Sequence, residues 1–309
     1  MSVFLVVLTY FAYIFIILMY TLKVIKIARM PAHLRWELYP VVYEPKSRYG
    51  GAHHEDERQW RQSHVKTVRR GIFYLFKENF KFSDYFNSNR SYWLVLFPWH
   101  IGFILIVTFH ILCFFGALVM IAGNPVAASS AYVIGKIFYY CILLTGAVSF
   151  ITGTLGSIGL IIKRITDSDL KAFAARQNYF NYIFTLVVFL SGLYAWVFVD
   201  PTLSQYHEFW KGVVTLHPVS IELATTAHII LFSLFLIYLP FTRSMHYITK
   251  FFAFLWVRWD DRPNFPGSTL ENEITGLLQK PVSWSAPHIP SGKTWAEIAA
   301  GKTRDEKTS

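Results

Sequence analysis

Four histidines fall in or beside two long apolar runs: His100 and His110 in one, His228 and His246 in the other. An ionisable or polar ligand inside hydrocarbon is costly, and where one occurs it usually serves a function. Neutral imidazole ligates the iron of b-type haem, and two imidazoles on facing helices build a bis-histidine site. For any single histidine, a satisfied hydrogen bond in the core is the competing explanation. Two pairs on two helices weigh toward ligation. The two cysteines, Cys113 and Cys141, are too few for an iron–sulfur cluster, which takes about four. There is no C-x-x-C-H for covalent haem attachment and no disulfide framework.

The spacing allows a pairing. His100 and His110 are 10 residues apart and His228 and His246 are 18 apart, or roughly 15 and 27 Å on ideal helices. If the two helices run in opposite directions, His100 pairs with His246 and His110 with His228. Two stacked haems fit the mean separation. Haem tilt, helix tilt or bends at Pro98 and Pro240 absorb the mismatch. Positions 228 and 246 lie five whole helical turns apart and share a face if the last run continues as one long helix past the membrane edge.

These histidines need membrane helices to hold them. Apolar residues make up 54% of the 309-residue chain and charged residues only 16%, whereas soluble domains carry about 25% charge. Five stretches reach the roughly 20 residues a bilayer crossing takes: about 3–22, 93–122, 131–162, 180–199 and 220–241. The first lacks a basic leader and a small-residue cleavage site, so it is read as an uncleaved helix. The net charge of +10 could suggest nucleic acid, but its distribution says otherwise. Segments 23–92, 163–178 and 242–309 hold 14, 4 and 9 basic residues, leaving only Lys136 and Lys211 elsewhere. The positive-inside rule makes that basic side cytoplasmic, with the N-terminus outside and the C-terminus inside. The expected fold is therefore all-α: a five-helix bundle in the cell membrane.

Other residues could support the same chemistry. Arg243, Lys250 and Arg164 fall on the cytoplasmic side, near enough in topology to pair with haem propionates, or to act as ordinary snorkelling residues. Lys136, at the outer edge of the third span, could hydrogen-bond a quinone carbonyl or serve as an interfacial anchor. Asp200 and Glu222 are outward acidic candidates for accepting quinol protons, and His207 and His217 read as solvated residues of an outer loop. Gly146, Gly153, Gly156 and Gly159 on the third span let a helix or a haem approach closely. Gly292-Lys293-Thr294 imitates the end of a P-loop, but Pro287 stands where the first glycine belongs. Asn89-Arg90-Ser91 is a glycosylation sequon on the cytoplasmic side. No hydrolase elbow, zincin or dinucleotide signature is present.

The five spans, with His100/His110 on the second and His228/His246 on the fifth, resemble the dihaem cytochrome b family of the respiratory nitrate reductase gamma subunit. Three further stretches resemble the DsrM (HmeC) branch of that family: Arg35-Trp36-Glu37-Leu38-Tyr39-Pro40, Arg258-Trp259-Asp260-Asp261-Arg262-Pro263-Asn264, and Trp284-Ser285-Ala286-Pro287-His288 with Gly292-Lys293-Thr294-Trp295. The resemblance implies two b haems and menaquinone exchange at the outer side. It also implies a cytoplasmic iron–sulfur partner, DsrK-like and similar to the catalytic subunit of heterodisulfide reductase, alongside the other subunits of a DsrMKJOP-type complex in sulfate or sulfite respiration. The quinone-site lysine of the family corresponds to Lys136.

Two regions follow. Residues 1–265 form the dihaem bundle, with 23–92 as a cytoplasmic segment. Residues 266–309 form an extended cytoplasmic tail that docks on a partner, being too polar for a core of their own. One rival reading is the cytochrome b anchor of another respiratory oxidoreductase, of the nitrate reductase, formate dehydrogenase, hydrogenase or heterodisulfide reductase type. A remoter one is a haem-free transporter or assembly protein; against it, there is no inverted repeat.

Overall fold

The computed structural model describes residues 2–29, 81–242, 266–286, 289 and 291–300, together with Phe73, Phe76, His246 and Ile248. Among the described residues, five helices are long and apolar enough to cross a bilayer, and the chain is a multi-pass, all-α membrane protein. They are α1 (Ser2–Ala28), α3 (Arg90–Ile121), α4 (Val133–Thr166), α6 (Arg176–Tyr194) and α8 (Leu223–Tyr238). Short helices stand between them: α2 (Ser83–Ser88), α5 (Ser168–Ala172) and α7 (Ser204–Thr215). Helix α6 ends in a π turn, Ala195–Val199. The chain divides into two compact units, one of Met1–Lys23 with Leu75–Met245 and the other of Val24–Tyr74 with His246–Ser309.

In the first unit, α3 and α4 pack tightly because glycine removes side chains from the seam. A Cβ at Gly102 would sit 2.5 Å from the Gly153 backbone, and one at Gly156 would sit 2.4 Å from the backbone of Trp99. Ser149 Oγ donates across the same seam to the Gly102 carbonyl at 2.9 Å. Gly146 faces Phe109 and Leu203, Gly153 faces Phe189, and Gly159 faces Val95. Protein neighbours on the helices and loops around it thus meet the glycine row of the third span. Asn89 starts α3 by accepting the Tyr92 N–H at 3.0 Å, and the helix runs on through Pro98.

The bundle has two ends. One holds residues 122–132 and 200–222 and carries α7 across it. There Tyr10 of α1 donates to the Val213 carbonyl at 2.7 Å. Lys163 and Arg164 lie at the other, where Lys163 Nζ donates to Ser91 Oγ at 3.0 Å.

Two expectations need correction here. Residues 204–215, expected within an outer loop, form the amphipathic helix α7, which buries Tyr206, Phe209, Trp210 and Val213. The fifth span does not run on as one long helix. It tightens into a 3₁₀ turn at Leu239–Phe241 and leaves helical geometry at Thr242 (φ −95°, ψ 175°). Pro240 is the physical reason, since it lacks the N–H an α-helix needs and its ring crowds the preceding turn. Lys23 Nζ donates to the carbonyl of Pro240 at this break.

In the second unit, the tail expected to be extended carries α9 (Thr269–Leu278) and α10 (Trp295–Ala299). Ser268 caps α9, and a reciprocal Thr294–Glu297 capping box starts α10. Isolated bridges join Pro281 to Thr294 and Ala286 to Ile289. Most of the 41–92 segment, the 35–40 and 258–264 stretches, and Pro287 and His288 lie outside the described residues.

Candidate functional site

His110 lies in the second half of α3 and His228 in the second turn of α8. Helices α3 and α8 run in opposite directions along the bundle, so the two histidines arrive at the same level, near the end that carries α7. Their ring centroids are 5.7 Å apart and their planes 11° from parallel. His110 is 2% exposed and His228 is fully buried. Phe232, one turn beyond His228, stacks on His110 at 3.8 Å.

The second nitrogen of His228 is held. Nδ1 lies 3.1 Å from the Val188 carbonyl and 3.1 Å from Ser191 Oγ, both on α6. A carbonyl only accepts, so Nδ1 carries the proton and Nε2 keeps its lone pair. That Nε2 is buried without a hydrogen-bond partner, and so is Nε2 of His110. Native proteins leave few such atoms, and two imidazole lone pairs of this kind side by side could hold one metal centre. Among the described residues no group of three or more His, Cys, Asp or Glu forms a metal site. A bis-imidazole pair could hold an iron whose remaining ligands come from a macrocycle. The surroundings agree with such a group: Tyr206 Oη, Trp210 Nε1, Tyr13 Oη and Thr225 Oγ1 are also buried without partners.

Helix α7 closes the site from its end of the bundle. Tyr206 is 6.3 Å from the His110 ring and 5.8 Å from His228, and Trp210 is 6.4 Å from His110. Phe109 and Phe150 complete the aromatic wall, with Phe150 edge-on to His228 at 5.3 Å. The sequence reading missed Tyr206, Trp210, Phe232 and Ser191. Positions 206, 209, 210 and 213 follow the i, i+3, i+4, i+7 pattern of an amphipathic helix, and that signal could have found the first two.

The other expected residues fall as follows. His100 is half-buried on α3, with Nδ1 3.0 Å from the Leu96 carbonyl and its ring 4.4 Å from Phe82. His246 is helical and exposed in the second unit. Arg164 donates through Nη1 to the Leu170 carbonyl at 3.0 Å and interacts with Tyr182 and Tyr92. Arg243 and Lys250 lie outside the described residues. Lys136 is exposed in the first turn of α4.

His207, expected in solvent, is 2% exposed. Burial lowers its pKa to about 4, partly opposed by Asp200. Asp200 is likewise buried, at 4% exposure. Its carboxylate accepts from Ser204 N at 3.0 Å, Gln205 N at 2.7 Å, Ser204 Oγ at 3.0 Å and Thr202 Oγ1 at 3.1 Å. With its acceptor capacity taken up in starting α7, Asp200 is a capping residue and not an open proton acceptor. Glu222 is exposed, as expected of an outward acid, and so is His217.

Residues 80–260 match the family model described as nitrate reductase gamma subunit. No curated protein and no solved structure matches the chain.

Proposed function

The chain belongs to the nitrate reductase gamma subunit family, and on that premise we propose that it is a membrane dihaem cytochrome b subunit. It carries electrons between menaquinol at the α7 end of the bundle, taken as the outer side, and a cytoplasmic iron–sulfur subunit at the other. The observation that carries this reading is the facing pair His110 and His228, with both Nε2 atoms buried and unpartnered.

His110 and His228 are the candidates to hold the outer haem, and His100 and His246 remain the sequence-based candidates for the inner one. Arg164, Arg243 and Lys250 are the candidates for pairing with propionates. When bound, the haems would supply one-electron carriers. The chain does the positioning. Val188 fixes the tautomer and ring orientation of His228, as a second partner does for most ligating histidines. Tyr206 and Trp210 on α7 keep water from the outer pair. The basic residues of 23–92, 163–178 and 242–309 set the N-terminus outside and the C-terminus inside by the positive-inside rule.

Within the family, we assign the chain to the DsrM-like branch on its 35–40, 258–264 and 284–295 stretches. Its partner is then a DsrK-like, heterodisulfide-reductase-like iron–sulfur subunit of a DsrMKJOP-type complex, and the 266–309 tail is the docking segment. The test is to reconstitute the purified chain in liposomes and add a menaquinol analogue. Growth of the reduced b-haem band, and co-purification of an iron–sulfur subunit of that kind from the native membrane, are expected. A haem band with a hydrogenase or molybdenum-enzyme partner instead would move the chain to another branch. No haem band would end the electron-transfer reading.

A further inference from the structure

Four buried polar atoms near the outer histidine pair have no hydrogen-bond partner: Tyr13 Oη, Tyr206 Oη, Trp210 Nε1 and Thr225 Oγ1. They come from three helices. Tyr13 stands midway along α1, Tyr206 and Trp210 are one turn apart on α7, and Thr225 is one turn before His228 on α8. Tyr13 meets Trp210 edge-on, with ring centroids 5.3 Å apart. Trp210 and Tyr206 lie 6.4 and 6.3 Å from the His110 ring, and Tyr206 lies 5.8 Å from His228.

Donor chemistry narrows what such a group can hold. An indole N–H donates and never accepts, so the partner missing from Trp210 is an acceptor. Phenol and alcohol hydroxyls can donate to the same acceptor. Nearby carboxylates of the chain do not fill the role. Asp200 is taken up by the start of α7, Glu222 is exposed, and Glu208 faces Lys211 at 3.7 Å with both side chains nearly half exposed. Among the described residues at this end, no buried cation stands by either. Stretches 122–132 and 200–222 hold Lys211 as their one Lys or Arg, and Lys136 is exposed. Three helices thus bring neutral donors together and leave the acceptor to a bound group.

We propose that these four donors seat the carboxylates of the outer haem, holding them by neutral donors where arginine is the usual partner. The proposal rests on His110 and His228 as the outer pair. It adds the residues that orient the group, and it gives α1 a part in the site through Tyr13. A b haem is an apolar ring with two carboxylates at one edge, so those carboxylates are the acceptors it brings. Hydrogen bonds to an ionised acceptor are roughly twice as strong as neutral ones, which suits a seat that lacks a cation. Negative charge then stays near the ring and favours the oxidised form of the haem.

The test uses the full chain in detergent, produced with haem or with haem dimethyl ester, whose esterified edge carries no charge. The readout is the rate at which each is lost to excess apomyoglobin; the outer-site phase is the one absent in His110→Ala. Trp210→Phe, Tyr13→Phe and Tyr206→Phe should each speed the loss of haem about 10- to 100-fold, the worth of a hydrogen bond to a charged group. Loss of the ester should speed up only about 2- to 10-fold, the worth of a neutral one. The midpoint potential of the outer haem should also fall in each variant. Tyr140→Phe, at an exposed position of α4, should change neither reading. Equal acceleration for haem and ester in all three variants would mark plain packing residues and overturn the proposal. Unchanged loss from a chain that keeps both haems would overturn it alone, leaving ordered water as the partner of these atoms. A chain that holds no haem overturns the parent reading and the proposal with it.

Discussion

His228 Nδ1 lies 3.1 Å from the carbonyl of Val188, one helix away, and its Nε2 is left buried and unpartnered. One hydrogen bond thus sets the tautomer that leaves a lone pair free for a metal. The backbone of α6 makes that bond, so the orientation survives substitution of most side chains around it.

Removing either member of this pair should therefore remove one haem and spare the other. His110→Ala and His228→Ala are each expected to drop the count from two b haems per chain to one. A pyridine haemochrome assay against protein concentration checks this. A variant that keeps both haems would exclude its histidine as a ligand.

The glycines by which α4 meets α3 and α6 leave no room for an added methyl group. Cβ atoms at Gly102 and Gly153 would lie 2.5 Å from backbone and 2.4 Å from the Phe189 ring. Gly102→Ala and Gly153→Ala should each cost about 1–3 kcal/mol through overpacking, read as a lower melting temperature in detergent. Gly276→Ala, where a Cβ would meet nothing within 4 Å inside the helix α9, should not lower it, since alanine favours a helix interior over glycine.

Asp200 accepts two backbone N–H groups at the start of α7. Asp200→Ala should cost about 1–2 kcal/mol, the usual effect of losing such a cap. The lid over His110 should loosen with it. Faster limited proteolysis within 200–216 is the expected reading, with cleavage elsewhere unaffected.

Stability should also fall in mild acid because of His207. Its pKa drops from 6.5 unfolded to about 4 folded, by burial. Between those values the unfolded state binds more protons than the folded one, so stability rises with pH there. The contribution is present above about pH 6.5 and is lost as pH falls through about 4; its ceiling is about 3 kcal/mol. Melting temperatures measured from pH 7 to 4 should show the slope, and His207→Gln should flatten it.

Much of this was legible in the sequence, for physical reasons. Apolar length identifies a bilayer span, and the five expected spans differ from the helices by a few residues at their ends. The antiparallel pairing of His110 with His228 followed from counting spans. What the sequence concealed lay where local pattern and tertiary setting diverge. Asp200 and His207 are polar residues between spans and look solvated, yet α7 folds back and buries them. Pro240 looked like a bend within a continuous helix, whereas the chain leaves helical geometry there. Ser191 gave no signal, since a serine in an apolar helix usually bonds its own backbone; its contact with His228 depends on how α6 and α8 meet.

The most direct test is the number of b haems per polypeptide in the purified chain, taken with its reduced-minus-oxidised visible spectrum. The account predicts two haems per chain and a b-type difference spectrum. A folded chain that holds none, when produced with an ample haem supply, would contradict it.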